Sequence, residues 1–474
     1  MDKKPFYLTT TLPYVNADPH VGFALEIVHA DIVARYRRLM GVEVFFTTGT
    51  DEHGQKIFQK AQEEGRDVQE YVDHFAGRFN KLKGALNLSN DAFIRTTDQK
   101  HIEAAQELWK RCEAAGDIYK KKYTGLYCVG DEMFLKEGDL VDGKCPNHPT
   151  MTPVEIEEEN YFFKLSAYQD KLVEYLSSES VVLPSWRREE ALKFVQSGLE
   201  DFSISREKAR MSWGIPVPGD ETQVMYVWFD ALTNYISTLG WPNGENFAKF
   251  WDGGEVVQMA GKDQVRFQSV MWQAMLMSGG VKKTDRVVYH GFITSGGQKM
   301  SKSLGNVIEP FALVEEYGTD AMRYLLAKIH PFEDSDVTLE KLKETYNADL
   351  VNGLGNLVAR IMKLAETHLE QGMRPQVAGF APEYTEALEK FEIHKAIEYI
   401  WQCIGALDQK ITETEPFKLV KTDPEAGKNL ILNLTQELYV IGRMLNPIMP
   451  AANEAIKKAV IENKKPENLF PRKD

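Results

Sequence analysis

The chain has 474 residues, about three domains at roughly 150 residues each. With 43% hydrophobic and 11% aromatic residues it lies in the ordinary globular range, which excludes disorder, a collagen-like fibre and a disulfide-stapled mini-protein. Lys+Arg is 56 against Asp+Glu 70, a net charge of −14, which argues against indiscriminate coating of nucleic acid and leaves local basic patches open. The four cysteines, Cys112, Cys128, Cys145 and Cys403, are too few for a disulfide framework and read as reduced thiols. The first residues lack the apolar core and cleavage site of a secretory signal, and no apolar run reaches the roughly 18 residues of a membrane span. A cytoplasmic protein without membrane association is expected.

Residues 5–12 form a β-rich run, followed by a Pro/Asn/Asp loop ending at Pro19. From Gly22 to Met40 apolar residues recur at helical spacing (Phe23, Ile27, Val28, Ile32, Tyr36, Leu39), and Gly41 stops the helix. Residues 42–48 are continuously apolar and β-branched, as in a strand buried on both faces. Strand, helix, strand at the start predicts an α/β fold with a parallel sheet. The same texture returns downstream. Residues 256–260 are strand-like, 265–277 are helical, and 287–293 form another strand before the loop Ser295-Gly296-Gly297. Between these halves, residues 115–222 carry many Tyr and Phe, short hairpin-like runs and most of the Cys/His candidates. One nucleotide-type fold interrupted by an insertion is the simplest reading. Beyond residue 333 the chain reads as an all-α bundle, with helical periods over 347–365, 396–411 and 430–445.

Two motifs carry chemistry. His20-Val21-Gly22-Phe23 opens the first helix, where unpaired N–H groups and the positive dipole end attract phosphate. Gly22 permits close approach of a nucleotide, and His20 can donate to a phosphate oxygen. Lys299-Met300-Ser301-Lys302-Ser303 follows the last strand of the α/β part, where two lysines on a glycine-flanked loop can neutralise developing charge. Alone, His20 has a helix cap as its alternative reading, and the lysines read equally as a solvated loop. Together, at opposite ends of one α/β part, they predict a nucleotide triphosphate site. Asp263, just after the strand ending near Gly261, is placed to bond ribose hydroxyls, and Glu26 is a weaker candidate one turn into the helix. Asp51 follows a strand, at the carboxyl end of the sheet, where open α/β folds bind ligands.

At these residues the chain resembles the methionyl-tRNA synthetases, a family of class I aminoacyl-tRNA synthetases. The resemblance runs essentially end to end. It is carried by Leu12-Pro13-Tyr14-Val15-Asn16, Thr47-Thr48-Gly49-Thr50-Asp51-Glu52-His53-Gly54, Tyr226-Val227-Trp228-Phe229-Asp230-Ala231, Gly261-Lys262-Asp263, and His290-Gly291-Phe292 before the lysine loop. It implies a Rossmann-type catalytic domain in two halves (1–114 and 223–332), an inserted connective domain (115–222), and a linker with an α-helical anticodon-binding domain (333–474). It implies that methionine and ATP with Mg²⁺ give methionyl-adenylate, and that tRNA(Met) accepts the methionyl group. Catalysis would rest on His20, Lys299 and Lys302, with Gly22, Phe23, Glu26, Gly261 and Asp263 completing the ATP site. The family's methionine site maps onto Leu12, Tyr14, Asp51, Trp228, Ala231, Leu232, Tyr235, Phe267, Gln268 and Trp272, with Asp51 on the substrate ammonium. An apolar, polarizable thioether suits such aromatic surroundings, although each aromatic taken singly also reads as core.

Several positions depart from the family. Phe23 stands where a second His usually helps bind the triphosphate. Gln268 stands where a His often lines the methionine pocket, and Gln still hydrogen-bonds there. Phe417, in Glu415-Pro416-Phe417, stands where a Trp usually stacks on an anticodon base. Asn356 and Arg360, four apart on one helix face, match the family's anticodon readers. A helix-cap Asn and a salt-bridged Arg are the alternative for that pair. Cys128-x2-Asp131 with Cys145-x2-His148 has the spacing of a zinc knuckle, but Asp131 replaces the usual second Cys, so Zn²⁺ is expected to be weakly held or absent. Arg206, Lys208 and Arg210 read as a solvated face rather than as contacts to tRNA. No further module follows the bundle, and a monomer is expected. The competing readings are a class I synthetase of another specificity, a small-molecule nucleotidyltransferase, and a non-catalytic tRNA-binding paralogue.

Overall fold

The apolar run after Pro5 pairs on both sides as β1 (Phe6–Thr9), completely buried. Its neighbours are β2 (Val44–Thr50) and, far along the chain, a strand at Glu255–Gly261. In chain order the sheet continues with β3 (Ala92–Arg95), β4 (Val182–Leu183), β5 (Glu255–Gly261) and β6 (Arg286–His290). The spatial order is β3-β2-β1-β5-β6-β4, and every pairing is parallel. The first five positions follow the nucleotide-binding order, with its switch point between β1 and β5. The computed structural model describes residues 3–128, 133–135, 137–146, 152–299, 307–375 and 379–473.

The chain divides into two compact units. The first comprises Met1–Pro19, Val42–Lys81 and Asn90–His290, and holds the parallel sheet. Its core is aromatic: Tyr7, Trp109, Trp251 and Trp272 are almost wholly buried, and the Tyr7 and Trp251 rings lie 5.9 Å apart. Residues 115–222 belong to this unit. Their main feature is a long antiparallel pair, Ile118–Cys128 with Val154–Phe163. Charge helps set its register, because Lys120–Lys122 lie on one strand and Glu155–Glu159 on the other, with Lys122 opposite Glu159. This region is more than hairpins. It also contains helices Gln169–Ser177 and Ser185–Gln196, and it supplies β4 to the edge of the parallel sheet. Two residues carry no periodicity, so that strand was invisible to sequence patterning.

The second unit comprises His20–Gly41, Leu82–Ser89 and Gly291–Asp474. Helix Val21–Leu39 is buried along most of its length and ends at Gly41, whose φ of 74° suits glycine. The fully buried Arg323 ties that helix to the bundle. It meets Asp31 at 2.8 Å and donates to the carbonyls of Leu86, Pro447 and Ile448, so all three guanidinium nitrogens have a partner. The predicted long helices are present as Ile393–Thr414 and Pro424–Leu445. The one expected over 347–365 is a wide π-type segment, Tyr346–Gly355, running into the regular helix Asn356–His368. The strand expected over 287–293 ends at His290. Gly291 then passes so close to the Glu333 carbonyl that a Cβ would sit 2.1 Å from it, and Ile293–Ser295 joins a separate sheet. Among the described residues no helix is long and apolar enough to cross a membrane.

Candidate active site

In the first unit the carboxyl ends of the strands present the candidate amino-acid residues. β1 leads into Leu12 and Tyr14, β2 into Asp51, and β5 ends at Gly261 before the exposed Asp263. Tyr14 bridges to Asp51 as an extra parallel rung. The Asp51 N–H donates to the Pro13 carbonyl at 3.0 Å, and the Val15 N–H donates back to the Asp51 carbonyl at 3.3 Å. Asp51 is 3% exposed, so its carboxylate is held where an unpaired ammonium would be strongly attracted.

The next two residues anchor this segment elsewhere. Glu52, wholly buried, accepts from Thr50 (2.6 Å), from Thr97 (2.6 Å) and from Arg95 through both oxygens (2.6 and 2.8 Å). Its N–H donates to Thr96, and its carbonyl accepts from the Trp213 indole at 2.6 Å. His53 Nδ1 lies 2.7 Å from Asp230 Oδ2, and His101 Nε2 lies 2.7 Å from Asp230 Oδ1. Burial pushes the Asp230 carboxyl up. The charge of His53 and hydrogen bonds from both histidines outweigh this and hold it below the usual carboxylate range. Glu52, His53 and Asp230 all lie inside the motifs that carry the family resemblance, but no local pattern assigns them a role. Their partners Arg95, His101 and Trp213 had no sequence signal at all.

Asp230 sits on the short helix Val227–Leu232, which carries Trp228, Ala231 and Leu232. The Trp228 and Phe267 rings stack with centroids 3.8 Å apart and planes 16° from parallel. Phe267 and Gln268 open a π-type turn, Phe267–Met271, a widening that often marks functional positions. It interrupts the regular helix expected over 265–277. Gln268 Nε2 donates to the Tyr235 hydroxyl at 2.7 Å, and the Tyr235 ring lies 5.8 Å from Trp272. The structure therefore draws together Tyr235, Gln268 and Trp272, stacks Trp228 on Phe267, and binds Asp51's segment to the Trp228 helix through His53.

The phosphate motifs belong to the second unit. His20 caps helix Val21–Leu39 in an extended conformation, and its Nδ1 accepts the Gly22 N–H at 3.0 Å. That bond fixes Nδ1 as an acceptor and leaves Nε2 as the donor on an exposed ring, the form needed to bond a phosphate oxygen. Capping and phosphate binding are thus compatible roles for one histidine. Glu26 is buried, whereas Gly22 and Phe23 are partly exposed. The lysine loop leaves a tight hairpin, Ile293–Ser295 paired with Gln298–Lys299. Gly296 and Gly297 both have positive φ, 64° and 73°, as a two-residue hairpin turn of this hand requires. Asp336 pins the hairpin by accepting from the Gly297 N–H (2.8 Å) and the Thr294 hydroxyl (3.1 Å). These bonds and Lys341 hold the Asp336 carboxyl below its usual range. Lys302 lies outside the described residues, as do Asp131 and His148 of the knuckle.

The remaining candidates sit as follows. Asn356 is exposed at the start of its regular helix and lines a groove of about 470 Å³ with Asn352, Ala359 and Lys465. Arg360 is half-buried in an ion pair with Asp408. Phe417 is 46% exposed on the same bundle. Cys128 and Cys145 are buried in a small cluster with Leu135 and Leu140. Arg206 corrects the sequence reading. It is not part of a solvated face but is 6% exposed, with its guanidinium 4.4 Å from the Tyr226 ring and 5.1 Å from the Tyr127 ring. It donates to Ser203 and to the Ser205 carbonyl. Lys208 and Arg210 are exposed, and Arg210 faces Glu158 at 3.3 Å.

A family model described as tRNA synthetases class I (M) matches residues 6–362. The chain belongs to this family. Among its class I relatives, the methionine–tRNA ligase of Brucella suis is 42% identical, with 96% of this chain and 92% of the relative aligned. That of Thermotoga maritima is 39% identical over 97% of this chain and 76% of the relative. A solved Mycobacterium tuberculosis methionyl-tRNA synthetase in complex with methionyl-adenylate superposes with a TM-score of 0.88. It is 36% identical, and the match covers 100% of this chain and 99% of that one. The α/β class with a helical C-terminal region, as read from the sequence, agrees with these class I synthetases.

Proposed function

We propose that this chain is a methionine–tRNA ligase, acting as a cytoplasmic monomer on methionine, ATP and tRNA(Met). The observation that carries the reading is a near full-length similarity to a synthetase holding methionyl-adenylate, joined to a buried Asp51 at the carboxyl end of the sheet, whose segment is bonded through His53 to the helix that carries Trp228. Asp51 binds the methionine ammonium. Leu12, Tyr14, Trp228, Ala231, Leu232, Tyr235, Phe267, Gln268 and Trp272 surround the side chain. The methionine carboxylate attacks the α-phosphorus, a new P–O bond forms, and pyrophosphate leaves with the old one. Mg²⁺ enters with ATP as part of the substrate. No protein nucleophile is needed, so the work is positioning and charge stabilisation. His20 donates from Nε2 to phosphate, Lys299 and Lys302 neutralise the departing pyrophosphate, and Gly261 and Asp263 receive the ribose. A hydroxyl at the tRNA 3′ end then attacks the acyl carbon, and AMP leaves.

The bundle supplies anticodon recognition through Asn356, Arg360 and Phe417. Arg360→Ala is expected to slow transfer of labelled methionine to tRNA(Met) while sparing methionine-dependent pyrophosphate exchange. A parallel fall in both activities would mean that Arg360, through Asp408, only supports the bundle. No step runs through zinc. An aspartate in place of a knuckle sulfur weakens a soft-preferring site, and the two cysteines already pack against leucines. Purified protein should carry less than one zinc per chain and keep its activity after mild chelation. Elemental analysis showing one tightly held zinc, with activity lost on its removal, would make Asp131 a ligand.

A further inference from the structure

Outside the groups assigned to substrate, one cluster of buried titratable side chains stands out: His53, Asp230 and His101, at 6%, 0% and 0% exposure. Each Asp230 oxygen takes one imidazole nitrogen at 2.7 Å, and the other ring nitrogen of His101 meets Ser237 at 2.9 Å. The carboxylate joins three stretches of chain: the segment after β2, helix Gln99–Ala114 and helix Val227–Leu232.

We infer that His53, Asp230 and His101 are positioning residues for the amino-acid subsite, holding the Asp51 segment in register with the helix that carries Trp228, Ala231 and Leu232. The inference rests on the methionine–tRNA ligase reading. His53 is two residues beyond Asp51, and Asp230 lies between Trp228 and Ala231, so their bond spans the two parts of the subsite. One part meets the ammonium and the other meets the side chain. His101 fixes the far oxygen of Asp230 and prevents the carboxylate from rotating toward His53 alone. Trp213 lies over this joint, its ring centroid 5.6 Å from that of His53 and its indole N–H on the Glu52 carbonyl. The residues proposed for ATP, His20 and the lysine hairpin together with Gly261 and Asp263, lie on elements other than the three that Asp230 joins. Slack in the joint is therefore expected to fall on methionine rather than on ATP.

The test is steady-state methionine-dependent pyrophosphate exchange with wild type, His53→Ala, His53→Asn and Asp230→Asn, alongside thermal melting. Methionine-dependent exchange by the wild type is measured first. Its absence would overturn the ligase reading and this inference together. His53→Ala is expected to raise the methionine KM about tenfold or more, as loss of a supporting hydrogen bond to a site commonly does. The ATP KM should stay within about threefold, a split that orientation without ATP contact requires. Asn offers an amide N–H close to the place of Nδ1 and should restore the methionine KM. Asp230→Asn keeps the shape, leaves one imidazole without an acceptor and the other with a neutral one, and should reproduce the selective rise. Equal increases in both KM values in step with a lower melting point would overturn the inference alone. So would a His53→Asn no better than His53→Ala.

Discussion

Asp51→Asn should weaken methionine binding by roughly two orders of magnitude and leave ATP binding close to that of the wild type. Removing one partner of a buried, hydrogen-bonded charge pair costs about 2–5 kcal/mol, largely because the other charge stays buried and unpaired. At about 1.4 kcal/mol per tenfold, this spans roughly thirtyfold to several thousandfold in affinity. The backbone gives the variant no route of escape. Asp51 is tied by its own N–H and carbonyl to the 13–15 segment, Glu52 to Arg95 and three threonines, and His53 to Asp230. Asparagine at this position therefore stays in place and presents a neutral amide to the ammonium. Equilibrium dialysis with labelled methionine and, separately, with ATP resolves the two effects. Loss of ATP binding with methionine binding intact would remove Asp51 from the amino-acid subsite.

Lys302→Ala should cut the rate of adenylate formation by about 10²–10³, because a preorganised charge donor aimed at the departing group typically supplies that much. Methionine affinity should change little, since charge on the pyrophosphate develops only as the reaction proceeds. The Gly296-Gly297 turn and its Asp336 anchor give the loop a firm base at Lys299, so a truncation at Lys302 leaves that hairpin untouched. Pre-steady-state adenylate formation measured beside methionine binding separates the two. An equal loss in both would assign Lys302 to ground-state binding.

Elements with a strong period are legible in the amino-acid sequence. The helix after His20, the doubly buried β2 and the bundle helices all follow from apolar spacing, and Gly41 and Gly296-Gly297 mark turns that need positive φ. Groups whose meaning depends on distant partners are not legible. Arg206 sits in a basic stretch that looks solvated, and only its enclosure by Tyr127 and Tyr226 makes it a buried cation. His101 and Asp230 are 129 residues apart, and no local pattern connects them. β4 is too short to show alternation, and the π-type turns at Phe267 and Tyr346 keep helical composition while shifting the faces their side chains occupy. The proposed methionine subsite rests on family resemblance. Its supporting shell of Glu52, Arg95, His53, His101 and Asp230 emerges only from the three-dimensional arrangement.

The most direct measurement is exchange of labelled pyrophosphate into ATP with the twenty amino acids supplied one at a time. A methionine–tRNA ligase exchanges with methionine far above leucine, cysteine or any other, and needs no tRNA to do so. Exchange driven best by another amino acid would assign a different class I specificity. Exchange with none of them would contradict the ligase reading and leave a tRNA-binding protein that does not activate an amino acid.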